Sequence, residues 1–326
     1  MPAPEEWLQI HVEPRVELLM TVQSTSDLYR EERILYPHPS VYRDAAFALA
    51  AQWNNHAAAT LFQDLAGSFN MDAPVSFVLC HSRLPDLQPV IPYSPYLIGR
   101  AGGADRLRAF ADALRAFAAD ACFLAHLQDW HEVFGQFEAQ ARSVIDPEWP
   151  RRLDEYAGRN RAQVHVCLAP LSEGNYGPSF ETPQGLVSYS VIKPLPSPTG
   201  PRFDHSRIKE LVFHEGAHWF VNPAMEACMN KLEESARLFD PIRAKLEDQR
   251  YGGWRIVVCE HIVRAVVARL SSNTEEVLAQ EEARGFIYIR MIAHALAEYE
   301  DRRDVYPDFW CFAPEIAARL VRIAER

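Results

Sequence analysis

The stretch Phe213-His-Glu-Gly-Ala-His-Trp-Phe-Val-Asn-Pro223 sets two histidines and a glutamate among helix-compatible apolar residues. Within it, His214-Glu215-Gly216-Ala217-His218 is an HExxH sequence. On a helix, residues four apart share a face with Cβ atoms about 5–6 Å apart, close enough for two imidazoles to reach one metal. Zinc accepts neutral imidazole nitrogen at about 2.0–2.1 Å and prefers four ligands in a tetrahedron. Glu215 projects to one side of that face, where it can hold a zinc-bound water and act as base without ligating the metal. The alternative is a histidine pair satisfied by core hydrogen bonds or lying on a solvated face. The setting favours the metal: Leu211, Val212, Trp219 and Phe220 surround the motif with apolar surface, and polar groups buried there need partners.

A catalytic zinc needs a third protein ligand. The longer HExxHxxGxxH pattern is excluded, because Val221 and Ala224 occupy its glycine and third-histidine places. Glu260, a carboxylate inside the apolar run Val257-Val-Cys-Glu-His-Ile-Val263, is the preferred ligand. His261, Glu226, Glu233, Glu234 and His294 stand as alternatives, and an ion pair with Arg264 at i+4 is the non-metal account of Glu260. A donor to a developing oxyanion comes from Tyr176, Tyr189, Tyr251, Tyr288 or His261, with Tyr251 preferred for its place just upstream of the Glu260 helix.

Working outward, Asp204 and Ser206 are N-cap candidates and Asn222-Pro223 a stop signal, predicting a helix from about Ser206 to Val221. Before it, Gln163–Pro170 and Leu186–Ile192 read as two strands around a turn, the second with one buried face. If that second strand is a free edge, a peptide would pair along it. Helical periodicity covers Ser40 to about Leu65, about Asp105 to Val144, Trp254 to Leu270, Thr274 to Glu300, and Ala313 onward. The prolines between Leu84 and Pro95 mark a loop. The expected fold is α+β and mostly helical: a lobe resembling the zincin metallopeptidases, residues 161–326, in which a small mixed or antiparallel sheet precedes the HExxH helix, with a helical lobe, residues 1–160, forming one continuous structural unit with it.

These residues resemble the gluzincin branch of the zincin metallopeptidases, where a glutamate from a later helix completes HExxH. More closely, the chain is similar to the bacterial family catalogued as domain of unknown function 4932, through Pro14-Arg-Val-Glu-Leu-Leu19, Asn175-Tyr-Gly177 and Phe213–Pro223. The resemblance implies a presumed peptidase activity with Zn2+ on His214, His218 and Glu260, and Glu215 as the general base. Two other functions stay open: an inactive zincin-like binding or regulatory protein, and a zinc hydrolase of a non-peptide amide.

Composition bounds the partners. A net charge of −11 offers no field for nucleic acid or anionic membrane; a peptide or protein substrate is what the resemblance to the zincins implies. The six cysteines include no CxxC pair, which fits a reducing compartment, and Cys228, Cys259 and Cys311 read as buried small hydrophobes. Glu5, Glu6, Glu13, Arg15 and Glu17 interrupt the first twenty residues, so no signal peptide is expected and the predicted location is cytoplasmic. Oligomeric state is left open, and His11 and His165 have no partner at a telling interval.

Overall fold

A computed structural model describes residues 7–31, 34–198, 200–205 and 207–325. Glu5, Glu6 and Ser206, invoked above, lie outside the described residues. The fold is α+β and mostly helical with a small mixed sheet. In chain order the elements are β1 (Leu8–Val12), α1 (Pro14–Gln23), α2 (Asp27–Glu31), α3 (Val41–Gln52), α4 (Ala57–Leu65), α5 (Asp72–Leu79), α6 (Pro95–Ala101), α7 (Ala104–Asp120), α8 (Phe123–Asp129), α9 (His131–Val144) and α10 (Glu148–Ala157). They continue with β2 (Gln163–Leu168), β3 (Ser179–Thr182), β4 (Gly185–Ile192), β5 (Leu195–Ser197), β6 (Gly200–Arg202), α11 (Ile208–Glu226), α12 (Met229–Glu234), a 3-10 turn (Ala236–Phe239), α13 (Arg243–Glu247), α14 (Trp254–Leu270), α15 (Thr274–Arg284), α16 (Ile289–Asp301) and α17 (Phe309–Ala324).

The chain divides into two compact units, Met1–Pro147 with Arg161–Glu215 and Glu148–Asn160 with Gly216–Arg326. In the first, the sheet order is β1-β2-β4-β3. β1 and β2 are parallel, as are β2 and β4, while β3 runs antiparallel to β4. This corrects two expectations and adds an element, since β1 was not read from the sequence at all. The turn that reverses the chain lies between β3 and β4, at Thr182–Gly185, so β2 and β4 are parallel neighbours rather than strands around a turn. And β4 is paired on both sides, with burial of both faces from Ser188 onward, so it is no free edge. Among the described residues β3 pairs with β4 alone.

α1 is the centre of this unit. Pro14 opens it, where a missing N–H costs nothing, and the Glu13 carboxylate caps it by accepting from the Arg15 amide at 3.1 Å. Every residue from Arg15 to Gln23 is buried, as expected of a helix without a water-facing side. Val16, Leu18, Leu19 and Val22 pack into a core with Phe62, Phe77, Phe110 and Phe117. The predicted helix over Asp105–Val144 is three helices, because Ala121-Cys122 and Trp130 leave helical geometry.

In the second unit, α14 keeps the predicted bounds. The expected Thr274–Glu300 helix is broken at Gly285, whose φ of +114° terminates α15 in the left-handed region that glycine alone adopts freely. α11 runs past Asn222-Pro223 to Glu226. A helix can carry an interior proline when neighbouring packing compensates, and Phe220, Val221, Ala224 and Met225 around it are all buried. Asp204 spends its carboxylate on Arg202 at 2.8 Å. No described helix is long and apolar enough to cross a membrane.

Glu17, inside α1, is fully buried, and burial pushes its carboxyl up to about 8 while the Tyr42 hydroxyl donates to it at 2.5 Å. Between the ordinary carboxylate range and pH 8 the unfolded chain gives up this proton and the native chain keeps it, so stability falls as pH rises through that window. Glu17→Gln removes the titration and keeps an acceptor for Tyr42. Its stability advantage over wild type should grow by roughly 1 kcal/mol per unit between about pH 5 and 8; a constant difference in urea melts across that range would refute the assignment.

Candidate metal centre

α11 carries His214, Glu215 and His218 on consecutive turns. The boundary between the two units falls within this helix, after Glu215, so helical geometry itself fixes His214 relative to His218. α14 supplies the third group. One ligand atom from each of His214, His218 and Glu260 lies within 4.8 Å of the others, and His218 Nε2 stands 3.5 Å from Glu260 Oε1.

Two of the three groups, His218 and Glu260, are oriented from behind. His218 Nδ1 donates to Asn222 Oδ1 at 3.1 Å, which leaves the Nε2 lone pair aimed at Glu260. Asn222 thus serves the site through the helix face it shares with His218, a role that reading it as a stop signal concealed. Glu260 Oε2 accepts from Arg264 Nη2 at 3.1 Å. The same guanidinium donates to Glu281 Oε2 at 3.1 Å and to the Tyr251 hydroxyl at 2.8 Å, and lies over the Phe286 ring at 4.2 Å. Burial by itself would depress the Arg264 guanidinium, but Glu260, Tyr251 and Glu281 outweigh it and hold it above its usual range. The i+4 ion pair and the ligand position are therefore compatible in one side chain.

The other candidates lie elsewhere. His261 donates Nδ1 to the Val257 carbonyl at 2.7 Å, and burial pushes it down to about 4 among the rings of Phe286 and Tyr288. Glu226 pairs with Arg255, His294 is exposed beside Glu298, and Glu233 and Glu234 are exposed. Of the tyrosines, Tyr288 donates to the Leu238 carbonyl at 2.8 Å, Tyr189 stacks on His165, and Tyr176 bridges Val191 in the sheet. Tyr251 and Glu260 both accept from Arg264. Burial pushes the Cys259 thiol up to about 12, as suits an inert core residue, and Cys228 is also buried; Cys311 is exposed, against expectation.

Asn175-Tyr-Gly177 acquires a structural meaning. Tyr176 exchanges both backbone hydrogen bonds with Val191, at 3.0 and 2.8 Å, and Asn175 Oδ1 accepts from the Lys193 amide at 2.9 Å. The segment is thereby anchored to β4, and its glycine lies against α11: a Cβ on Gly177 would come within 2.3 Å of the Glu215 carbonyl oxygen.

This chain belongs to the family described as Domain of unknown function (DUF4932), whose profile matches residues 98–319. That span contains the Asn175–Gly177 segment, the α11 motif and Glu260. No curated protein and no solved structure matches the chain.

Because the added methyl of Gly177→Ala meets backbone rather than a flexible side chain, loop or helix must shift. The variant should lose about 1–3 kcal/mol of stability, measured by denaturant unfolding; wild-type stability would show that the loop yields freely.

Proposed function

We propose that this protein is a zinc-dependent metallopeptidase with Glu215 as its general base. The observation that carries the reading is the convergence of His214, His218 and Glu260 donors within 4.8 Å. Two imidazoles and one carboxylate are the donor set of a catalytic zinc, with a fourth position left for solvent or substrate. The donor chemistry therefore fits the metal.

Zinc held there would supply Lewis acidity, bringing a water's pKa to about 7 and polarising a carbonyl. The chain's own residues do the rest. Asn222 sets the tautomer of His218, and Arg264 fixes the direction of Glu260. Glu215, buried and next in sequence to His214, takes the proton from the attacking water and returns it to the leaving amine. Peptide as the substrate class rests on the resemblance to gluzincins and on the sheet. Since β4 is interior, an extended peptide would pair with the outer edge of β3, which begins two residues after Gly177.

Metal content and peptide-library cleavage test this together. Zinc at this site should be lost in His214→Ala and Glu260→Ala and kept in Glu215→Gln, whose cleavage rate should drop by about 100-fold or more. Zinc retained at the site in His214→Ala would overturn the ligand set. A zinc-loaded wild type that cleaves nothing in the library would instead favour a binding protein.

A further inference from the structure

A second cluster of metal-ligating side chains sits wholly within the first unit, away from the HExxH sequence. β1 carries His11, Glu13 follows its last residue Val12 as the cap of α1, and β2 carries His165-Val166-Cys167. Alternation along β2 puts His165 and Cys167 on one face. The strands are parallel neighbours, with His11 opposite Cys167 and Gln9 opposite His165.

The distances suit a single ion. His11 Nε2 is 3.1 Å from His165 Nδ1 and 3.8 Å from Cys167 Sγ, and the ligand atoms of His11, Glu13 and Cys167 all lie within 4.8 Å of one another. Nitrogen and sulfur ligands at about 2.0–2.3 Å from a tetrahedral zinc stand roughly 3.3–3.8 Å apart, so the His11–Cys167 spacing matches, while His165 lies outside the three-residue group. His165 serves as the partner of His11: the Gln163 side-chain oxygen, 3.0 Å from its Nε2, accepts from it and leaves the Nδ1 lone pair facing His11. Glu13 is gripped by Arg15 through both oxygens, at 2.8 and 2.9 Å. A carboxylate so held retains lone pairs for a cation. Cys167 is 0% exposed and His165 5%, while a cavity of about 930 Å³ lined by His11, Glu13, Arg83 and Glu138 gives an ion its way in.

We propose that His11, Glu13 and Cys167 form a second binding site, for one borderline-soft divalent cation, zinc, which ties β1 to β2. Three protein ligands leave a fourth position for water. Binding forms one metal–nitrogen bond, one metal–sulfur bond and one metal–oxygen bond to the chain. The Cys167 thiol proton passes to water, and the His11 proton moves from Nε2 to Nδ1 as its hydrogen bond to His165 gives way to the ion. His11 and Glu13 lie outside residues 98–319, so the family match does not imply this site.

Cobalt separates this site from the HExxH centre, because thiolate-to-cobalt charge transfer absorbs in the near ultraviolet and nitrogen and oxygen ligands give no such band. Full-length protein stripped with a chelator and titrated anaerobically with Co2+ should develop the band to one equivalent. It should persist in His214→Ala/His218→Ala, disappear in Cys167→Ser, and require about ten-fold or more cobalt in His11→Ala. Absence of the band in folded wild type, judged by circular dichroism, overturns the proposal, as does a band that survives Cys167→Ser. Loss of the HExxH site alone leaves this readout untouched, so the two readings fail independently.

Discussion

The Arg264 guanidinium is buried against Phe286, and three groups converge on it: Glu260, Glu281 and the Tyr251 hydroxyl. A buried charge of this kind persists only if its partners repay its desolvation, and removing one partner strands the others. That constraint ties α15, through Glu281, and the chain before α14, through Tyr251, to the carboxylate that faces His218. The direction of Glu260 is thus decided by the packing of the second unit. A flexible surface glutamate at the same place would lose side-chain entropy on binding a cation; this one has already lost it in folding.

The two donor clusters share a plan. In each, a carboxylate is gripped by an arginine, a histidine is aimed by an amide side chain, and the donors come from separate elements of the chain. They differ in chemistry: nitrogen and oxygen donors at the helical centre, with sulfur added at the strand pair.

What could be read from sequence was what is local. The four-residue spacing of His214 and His218 is a property of one helix, and a carboxylate isolated in the apolar run around Glu260 stands out without knowledge of the fold. α14 keeps its predicted bounds because its pattern is long and unbroken. Strand direction is a different matter: alternation in Leu186–Ile192 is the same whether the neighbour is parallel or antiparallel, so the order β1-β2-β4-β3 could not be inferred. β1 is five residues long and was missed, and with it the pairing of His11 with Cys167. The signal lay in two His-Val-x triplets, His11-Val-Glu13 and His165-Val-Cys167, which gain meaning only once their strands are neighbours. Asn222-Pro223 was misjudged because a proline's usual effect on a helix was outweighed by burial around it.

That dipeptide also bears on how the protein ages. Asparagine converts to aspartate in water mainly when the next backbone nitrogen closes on the side-chain amide to make a cyclic imide. Pro223 supplies a nitrogen without a hydrogen, and the surrounding helix holds it away from the geometry such closure needs. Asn222, which accepts from His218 Nδ1, is therefore shielded from the one spontaneous change that would put a negative charge behind that imidazole and alter its proton affinity. The residue that looked like punctuation works as a preservative.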